Sequence, residues 1–404
     1  MVPKGWVAGK VCDVINGLEA GVSVNGDDRS LLAEEKAVLK VSAVSYGRFD
    51  PTAAKAIQSD ELDRAKTNPR AGRIIISRSN TDELVGASAY IMKDYNHLFL
   101  SDKLWQTLPK QNVNMEWLSY VLASAHSRFV LSSLATGTSG SMKNITKGEL
   151  LGLKILIPPY EEQRKIAQIL STWDKTITTT ERLLTNRQQQ KKALMQRLLT
   201  GKQRFAGFEG EWKKYLQGNV ATFHNGRAYK LSEWEETGTP VIRLQNLTGR
   251  GSDFYYSNLA LPARQYCESG DLLYMWSATF GPHIWQGPKA IYHYHIWKIE
   301  CSVDVLHKEF MFYVLNFETQ RWLSKSNGMG LLHITKETME KQTILLPSLK
   351  EQQKIASVLS ATDAEITTIQ NQLDNLKQQK KALMQQLLTG KRRVKVDSPA
   401  LATQ

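Results

Sequence analysis

The stretch QQQKKALMQRLLTGKQR, residues 188–204, occurs again almost unchanged as KQQKKALMQQLLTGKRR, residues 377–393. The match extends without gaps from 162–204 to 351–393, and about 27 of the 43 aligned positions are identical. A duplication of this length is the first feature to settle, because it constrains every later inference about the fold. The sequence therefore predicts two similar connecting segments within one chain.

The segments that precede the two copies share much less. Ile145-Thr146-Lys147 matches Ile334-Thr335-Lys336 at the same offset, and before that the similarity fades. The remaining hints are a tryptophan near each start, Trp6 and Trp212, and a Tyr-Val-Leu triplet that begins at Tyr120 and Tyr313. Two similar connectors with two dissimilar domains indicate two shared tasks and two different ones.

Each copy predicts a long helix. Apolar residues recur at steps of three and four for about four heptads, which favours a coiled coil over a single buried helix. The seam positions are Ile166, Leu170, Ile177, Leu184, Leu194 and Leu198 in the first copy, and Ile355, Leu359, Ile366, Leu373, Leu383 and Leu387 in the second. Prolines open both helices, and Gly201 and Gly390 follow the last apolar turns as C-caps. Each helix is predicted to be about 55–60 Å long.

Polar residues interrupt this seam. Thr180 and Arg187 occupy positions at which the second copy has Ile369 and Leu376. This difference favours pairing between the two copies, antiparallel within one chain, over pairing of a copy with itself. The alternative is two independent amphipathic helices, each packed on its own domain.

Identical residues at positions predicted to be exposed argue against independent helices. They include Asp174 and Asp363, Asn186 and Asn375, and the pairs Gln189-Gln190 and Gln378-Gln379. Packing alone does not require these residues to match. We therefore expect both helices to present one surface to two copies of the same partner.

Most of the excess positive charge lies in the two segments that contain the predicted helices. The net charge is +13, and ten of the thirteen excess positive charges lie in 158–204 and 347–404. A basic chain indicates a polyanionic partner, although solvated helix faces explain part of the excess. The predicted organisation is a first domain, 1–157, a central helix, 158–204, a second domain, 205–346, a C-terminal helix, 347–393, and a flexible tail, 394–404.

Both domains are predicted to be α/β (α+β) with short strands. Apolar or alternating runs mark Val38–Val44, Ile74–Ser77, Val241–Leu244, Leu272–Trp276 and Ile291–Ile299. Asn246–Gly251 is predicted to be a turn with polar side chains. Most aromatic residues of the second domain are expected in the core, and stacking of one or two on a base is the alternative.

Arginine, glutamine and asparagine side chains near turns are the candidate base readers, because they form paired hydrogen bonds with guanine or adenine edges. They are Arg243, Gln245, Asn246 and Arg250 in the second domain, and Arg48, Arg73 and Arg78 in the first. Candidate phosphate contacts lie near the Ile-Thr-Lys elements, at Thr138, Ser139, Lys143 and Lys336. For each residue, a solvated side chain or a plain loop is the alternative.

Several function classes lack their motifs. Ile157-Pro-Pro-Tyr160 resembles an adenine methyltransferase motif, but Ile157 lacks the polar side chain that the chemistry needs. GxxxxGK and GxGxxG loops are absent, and the histidines lack zinc spacing. The three cysteines are scattered, and the sequence has neither a membrane-length apolar run nor a signal-peptide core. Together with the missing motifs, these features predict a cytoplasmic, non-catalytic chain without its own cofactor or metal.

The arrangement resembles the specificity subunit of type I restriction–modification systems over essentially the whole chain. The resemblance rests on the pattern Pro-x-x-x-Glu-Gln-x-Lys-Ile-Ala, which occurs at Pro158–Ala167 and again at Pro347–Ala356. It also rests on the Leu-Leu-Thr-Gly-Lys endings at Leu198–Lys202 and Leu387–Lys391. The combination of both motifs, each present twice, is more specific than either alone.

This resemblance implies a pseudo-twofold fold with an antiparallel intramolecular coiled coil and two target-recognition domains. Each domain is expected to read half of a bipartite double-stranded DNA site. Two modification (methyltransferase) subunits and two restriction (ATPase and nuclease) subunits are the implied partners. S-adenosylmethionine, ATP and Mg are expected on those partners, with methylation at adenine N6.

The sequence leads to the hypothesis that the coiled coil is a ruler that fixes the spacer between half-sites at about one DNA turn. Two rival functions stay open at this point. One is a methyltransferase or nuclease that acts alone, which methyl transfer by the purified chain would support. The other is an architectural or repressor-like DNA-bridging protein, which recovery of the chain without methyltransferase subunits would favour.

Overall fold

The computed structural model describes residues 2–45, 47–137, 142–325 and 334–396. The chain forms two compact units, Met1–Thr180 with Gln372–Gln404, and Glu181–Asn371. The unit boundaries fall inside two long helices, Tyr160–Leu198 and Leu349–Leu388. We call them the central repeat helix and the C-terminal repeat helix. Each unit thus contains one domain and part of both helices.

The first unit contains two four-stranded sheets. One is antiparallel, in the order Ser88–Tyr90, Ile74–Ser77, Leu104–Pro109, Ile15–Ala20. The other has the order Leu98–Phe99, Ala37–Leu39, Ala54–Ile57, Gly26–Asp27, and its first two strands are parallel. Shorter pairs join Val7–Lys10 to Lys154–Ile157, Val44–Ser45 to Arg48–Phe49, and Ser79–Asn80 to Lys143–Asn144.

The α-helices of this domain are Met115–Ala123, Ala125–Leu134 and Lys147–Leu151, and the 3-10 turns are Val11–Asp13, Val41–Ala43 and Ser59–Arg64. Capping side chains mark where the three α-helices begin. Asn114 and Ser124 accept hydrogen bonds from the backbone N–H groups three residues ahead, and Thr146 forms a capping box with Glu149.

The second unit has the same kinds of sheet. Its antiparallel sheet has the order Ala221–Asn225, Ile296–Cys301, Leu272–Ser277, Thr279–Ile284. Its mixed sheet has the order Tyr255–Ser257, Thr239–Ile242, Ala290–Tyr292, Tyr266–Cys267, with the middle two strands parallel. Lys213–Leu216 pairs with Thr343–Leu346. The α-helices are Gln217–Val220, Leu244–Thr248, Lys308–Lys325 and Lys336–Glu340, and the 3-10 turns are Leu231–Glu233 and Ala263–Gln265.

One strand in each domain is buried on both faces. Ile74 and Ile76 lie in the core that faces the helices, while Ile75 lies in the core under the mixed sheet. Leu272 and Leu273 divide in the same way between two cores of the second unit. Alternate side chains of a strand point to opposite faces, so a strand covered on both sides is a continuous apolar run.

The repeat helices pair antiparallel within each unit. In the first unit, Ile166 and Leu170 from the start of the central repeat helix share a core with Leu387 from the end of the other helix. In the second unit, Leu198 shares a core with Ile355 and Leu359. All twelve predicted seam residues are buried except Leu194, Ile366 and Leu383, which are half-buried. The predicted coiled coil and α+β fold class are confirmed, and independent helices are excluded.

Four local predictions were wrong. Val241–Leu244 is a strand only as far as Ile242, because Arg243 caps the helix that begins at Leu244. Val38–Val44 is not one strand, because a 3-10 turn at Val41–Ala43 interrupts it. Asn246–Gly251 begins inside the helix Leu244–Thr248, which Gly249 ends with a φ of 70°. Ile291–Ile299 is divided by a turn in which Ile296 N–H donates to the His293 carbonyl oxygen at 2.9 Å. In each case a local backbone hydrogen bond or cap overrides the apolar pattern.

Candidate nucleic-acid interface

The second domain brings cationic and aromatic side chains together at one edge of its mixed sheet. Thr239–Ile242 and Ala290–Tyr292 run parallel, with Ile242 opposite Tyr292. The next residues, Arg243 and His293, therefore leave neighbouring strands at the same edge. Arg243 was predicted from sequence to read a base, and the structure places it beside a histidine that the prediction missed.

Three aromatic rings pack in a row next to Arg243. The Tyr229 and Trp234 ring centroids are 4.7 Å apart, and the same distance separates Trp234 from Tyr255. The Arg243 guanidinium lies 5.0 Å from the Tyr255 centroid, and the Arg227 guanidinium lies 4.6 Å from the Tyr229 centroid. We call Arg227, Tyr229, Trp234, Tyr255 and Arg243 the arginine–aromatic column. The arginines occupy its two ends, over ring faces that attract cations.

The two arginines differ in charge environment. Arg227 forms an ion pair with Glu233, and this hydrogen bond holds the pKa of the Glu233 carboxyl below its usual range. Arg243 has no ion-pair partner among the described residues. Burial, reinforced by His295 and Arg243, lowers the pKa of His293 to about 4, so this imidazole is neutral at pH 7. Arg243 is thus the uncompensated charge of the column.

The other candidates in the second domain occupy the helix that follows Arg243. The Asn246 side-chain oxygen accepts from the Arg243 backbone N–H at 2.8 Å, and its amide nitrogen donates to the Asp253 carbonyl oxygen at 2.9 Å. This side chain caps the helix and holds the next turn. Gln245 is half-buried against Gly251, and Arg250 is exposed. Lys336, a phosphate candidate, lies 3.5 Å from Glu340.

Several candidates of the first domain are paired with acidic residues. Arg73 forms an ion pair with Glu19, and Arg78 lies 3.9 Å from Asp102. The Lys143 ammonium donates to the Gly137 carbonyl oxygen at 3.3 Å and lies 3.9 Å from Asp82. Arg48 is an exposed strand residue. Thr138 and Ser139 lie outside the described residues.

Lys40 was not among the predicted candidates, although its position corresponds to that of Arg243. It directly follows Ala37–Leu39, which is parallel to Leu98–Phe99, as Arg243 follows a strand with a parallel neighbour. Lys40 forms a 2.5 Å ion pair with Asp28, and this hydrogen bond lowers the pKa of the Asp28 carboxyl. The equivalent cation is therefore neutralised in the first domain.

The repeated Glu-Gln pair joins each domain to the helices. Glu162 is buried and accepts hydrogen bonds from Arg393, including one from Nε at 2.9 Å, and from the Trp6 indole N–H at 3.2 Å. Glu351 is buried and accepts from Arg204 Nε at 2.9 Å and Nη2 at 2.7 Å. The first family motif of one helix thus binds the arginine that follows the second motif of the other.

The glutamines anchor the helices of the domains. The Gln163 side-chain oxygen accepts from the Asn114 backbone N–H at 2.9 Å, at the start of Met115–Ala123. The Gln352 side-chain oxygen accepts from the His307 backbone N–H at 2.8 Å, at the start of Lys308–Lys325. Both amide nitrogens donate to the carbonyl oxygen of the proline that opens the motif. Each glutamine therefore joins a repeat helix to a domain helix.

A Tyr-Asp-Lys cluster occurs once in each unit. In the first unit, the Tyr120 hydroxyl donates to Asp174 at 2.8 Å and the Lys380 ammonium donates to the same carboxylate at 2.6 Å. In the second, the Tyr313 hydroxyl donates to Asp363 at 2.9 Å and Lys191 forms an ion pair with that carboxylate. Burial and the adjacent carboxylate raise the pKa of both tyrosines.

These clusters correct one sequence argument. Asp174 and Asp363 were interpreted as matching residues of a partner-docking surface, but they match because both have the same internal contacts. Asn186, Gln189, Gln190, Ala193 and Gln196 do remain exposed, as do their counterparts Asn375, Gln378, Gln379, Ala382 and Gln385. Their spacing of three and four places each set on one helix face. We call these two sets the amide stripes, and each unit carries one.

Within the described residues, no group of three or more metal-binding side chains comes together. None of the described helices is both long enough and apolar enough to cross a bilayer.

Comparison with known families agrees with the duplicated architecture. A family model described as the type I restriction modification DNA specificity domain matches residues 3–186 and again residues 209–378. The chain therefore belongs to the family of type I restriction–modification DNA specificity proteins.

Individual relatives of the chain are specificity subunits of type I restriction enzymes. The chain is 25% identical to the putative type I restriction enzyme MjaX specificity subunit of Methanocaldococcus jannaschii, over 98% of this chain and 95% of that protein. It is 28% identical to the type I restriction enzyme MjaVIII specificity subunit of the same organism, over 65% and 68% of the two chains. The EcoKI specificity subunit of Escherichia coli is 22% identical, over 93% and 85%.

Solved structures show the same fold. The S subunit of a type I restriction–modification system from M. genitalium superimposes with a TM-score of 0.62 at 15% identity, covering 96% of both chains. A chain from a structure that addresses complex assembly and conformational transition of the type I R-M system gives 0.61 at 18% identity, covering 97% of this chain and 100% of the other.

Proposed function

We propose that this chain is the non-catalytic, sequence-specific DNA-binding subunit of a type I restriction–modification complex and reads a bipartite, asymmetric site. The first domain binds one half-site and the second domain binds the other. Two modification subunits dock on the repeat helices, and two restriction subunits complete the assembly. S-adenosylmethionine, ATP and Mg belong to those partners in this proposal.

The observation that carries the proposal is the combination of identical junctions with unlike domains. Glu162 and Glu351 bind equivalent arginines, and Gln163 and Gln352 anchor equivalent domain helices. The domains attached there differ in charge at equivalent positions: Lys40 is half-buried and paired with Asp28, whereas the half-buried Arg243 has no ion-pair partner among the described residues. Identical attachment with different surfaces suits two readers of different sequences.

Docking of modification subunits is assigned to the amide stripes. Asn and Gln side chains on an exposed helix face offer donors and acceptors without the desolvation cost of charge. The internal contacts explain why Asp174 and Asp363 match, but they leave the matching exposed amides unexplained. Binding of the same partner on each unit explains them.

The first experiment is methylation mapping. The chain is co-expressed with its modification subunit in a host that lacks adenine methylation, and methylated adenines are located by sequencing. The expected motif has two different half-sites separated by an unspecified spacer. A single continuous motif, or methylation by the chain without the modification subunit, would contradict the proposal.

The docking surface is tested separately. Gln190→Arg with Gln379→Arg places a charge in both amide stripes and is expected to reduce co-purification of the modification subunit at least tenfold. Gln168→Arg is the matched control, because Gln168 is exposed on the central repeat helix and its counterpart Ser357 differs. Equal recovery of the modification subunit with both variants would exclude the amide stripes as the docking surface.

A further inference from the structure

The arginine–aromatic column fixes one cation in a defined orientation. An arginine side chain has many rotamers, and ordering it on binding opposes affinity. Arg243 already lies over Tyr255, which contacts Trp234 in a tilted pair, and Trp234 in turn stacks on Tyr229. The guanidinium is therefore preorganised by a row of packed rings that carries no negative charge.

Unlike two comparable cations, Arg243 has no ion-pair partner among the described residues. Arg227 has Glu233, and Lys40 at the corresponding position of the first domain has Asp28. Arg243 is half-buried, no described carboxylate pairs with it, and the adjacent His293 is neutral. A half-buried, uncompensated guanidinium is matched by acceptor atoms supplied from outside, and its planar fork fits two adjacent acceptors.

Guanine supplies two such acceptors, N7 and O6, on its major-groove edge. A contact to a phosphate, in contrast, carries no sequence information. The geometry points to Arg243 as the side chain that reads a guanine in the half-site of the second domain, with Tyr255, Trp234 and Tyr229 as positioning residues. This inference rests on the proposed function and adds one base position and one residue to it.

The test uses the complex of the full chain with its modification subunit. Synthetic duplexes carry the mapped site, and each G·C pair of both half-sites is replaced in turn by A·T. The wild-type complex is expected to lose affinity about five- to a hundredfold for one replaced guanine in one half-site, the range of one paired contact. The Arg243→Ala complex is expected to bind that duplex and the original site equally, and to keep its discrimination at the other half-site.

Three variants separate the roles. Arg243→Lys is expected to keep only part of the discrimination, because an ammonium group can reach the guanine acceptors but lacks the planar fork and its support on the Tyr255 ring. Tyr255→Phe keeps the stack and is expected to keep the specificity, while Tyr255→Ala is expected to reduce the discrimination at the same base pair only. Arg321→Ala is the control, because Arg321 pairs with Glu318 at 2.8 Å on Lys308–Lys325 and is expected to change nothing. Thermal unfolding of each variant shows whether the domain stays folded.

The outcomes separate this inference from the proposed function. A wild-type complex without a bipartite preference overturns both. A wild-type bipartite preference that Arg243→Ala leaves unchanged at every base overturns the guanine contact only. A uniform loss of affinity for all sequences, with the salt dependence reduced by about one charge, identifies a phosphate contact and likewise overturns it.

Discussion

The Arg393 guanidinium donates hydrogen bonds to the carboxylate of Glu162, a residue 231 positions earlier in the sequence, and its Nε atom lies 2.9 Å from the acceptor oxygen. The same guanidinium donates to the Lys4 carbonyl oxygen at 2.7 Å and lies 5.7 Å from the Trp6 ring centroid. The C-terminal segment therefore holds the N-terminal segment and the central repeat helix in one unit. In the second unit, Arg204 has the same role toward Glu351.

Because each junction belongs to one unit, a defect at one junction should remain local. We expect Glu162→Ala to increase hydrogen exchange in Val7–Lys10 and in the start of the central repeat helix, with little change in the second unit. Glu351→Ala should have the reciprocal effect. Equal deprotection of both units by either variant, measured by hydrogen-exchange mass spectrometry, would show that the junctions are not independent.

Leu170 and Leu359 occupy equivalent core positions and are fully buried. Leu170→Ala and Leu359→Ala are each expected to reduce the free energy of unfolding of their own unit by about 2–5 kcal/mol, through lost burial and the cavity left behind. Leu183→Ala, on the exposed side of the central repeat helix with 45% of the residue accessible, should change it by less than about 0.5 kcal/mol. Urea unfolding, followed by hydrogen exchange, measures the free energy of unfolding of each unit. A similar loss for Leu183→Ala would contradict the prediction that only the buried seam positions stabilise the helix pair.

The low pKa of His293 predicts a pH dependence of stability. Its pKa is about 4 in the folded domain, below the ordinary value of 6.5, so the unfolded chain binds the proton more strongly. The stability linked to this residue is fully present above pH 6.5 and is lost as the pH falls toward 4. His293→Gln should reduce the fall in melting temperature between pH 7 and pH 4.5 relative to wild type. An identical fall in both proteins would rule out this linkage.

A half-length chain, residues 1–204, contains only the central repeat helix, but this segment carries counterparts of the residues that contact it from the C-terminal repeat helix. Lys191 corresponds to Lys380 and Arg204 corresponds to Arg393, so a second copy could supply the partners that Asp174 and Glu162 have in the whole chain. We expect this fragment to form a homodimer, weaker than the native pairing because the Arg187–Glu365 ion pair has no equivalent.

Sedimentation velocity measures the state of this fragment. Asp174→Lys should make it monomeric, and adding Lys191→Asp should restore the dimer by exchanging the two charges. A monomeric wild-type fragment, or a dimer insensitive to Asp174→Lys, would contradict the prediction.

Deleting 178–184 together with 370–376 removes one heptad from both helices and keeps the pairs Lys380–Asp174 and Lys191–Asp363 in register. If the helices measure the spacer, it should shorten by about 10 Å, or about three base pairs. Methylation mapping reads the spacer directly. Deleting one heptad from a single helix breaks the register and should abolish methylation, whereas an unchanged spacer after the double deletion would reject the ruler.

The helices were predictable from sequence, and most of the domain detail was not. The seam is a local periodic signal, and Ile166, Leu170 and Leu198 are buried as expected. The role of Asp174 depends on Tyr120, a contact between distant segments that no local pattern reveals. The same limit applies to the arginine–aromatic column, because Tyr229 and Trp234 come from a loop while Tyr255 comes from a strand.

The base-reading candidates show the same division. Asn246 has the residue type of an adenine reader, but its amide is used by the backbone of its own helix and turn. Arg243 and Arg73 look equivalent in sequence, and only the structure shows that Glu19 pairs with Arg73. These assignments to DNA remain predictions. Side-chain type indicates which contacts are chemically available, whereas the three-dimensional environment decides which are already used inside the protein.

The two identical junctions also bear on how such a chain changes over evolutionary time. A Cβ placed on Gly201 would lie 3.5 Å from the Trp212 ring, and one placed on Gly390 would lie 3.5 Å from the Trp6 ring. Both glycines have φ near +70°, a conformation that favours glycine, so each junction presents the same backbone surface to a tryptophan of the adjoining domain. Recombination between the two repeats can therefore replace one domain and keep both junctions. Under the proposed function, new specificities would then arise by exchange of whole domains rather than by gradual point substitution.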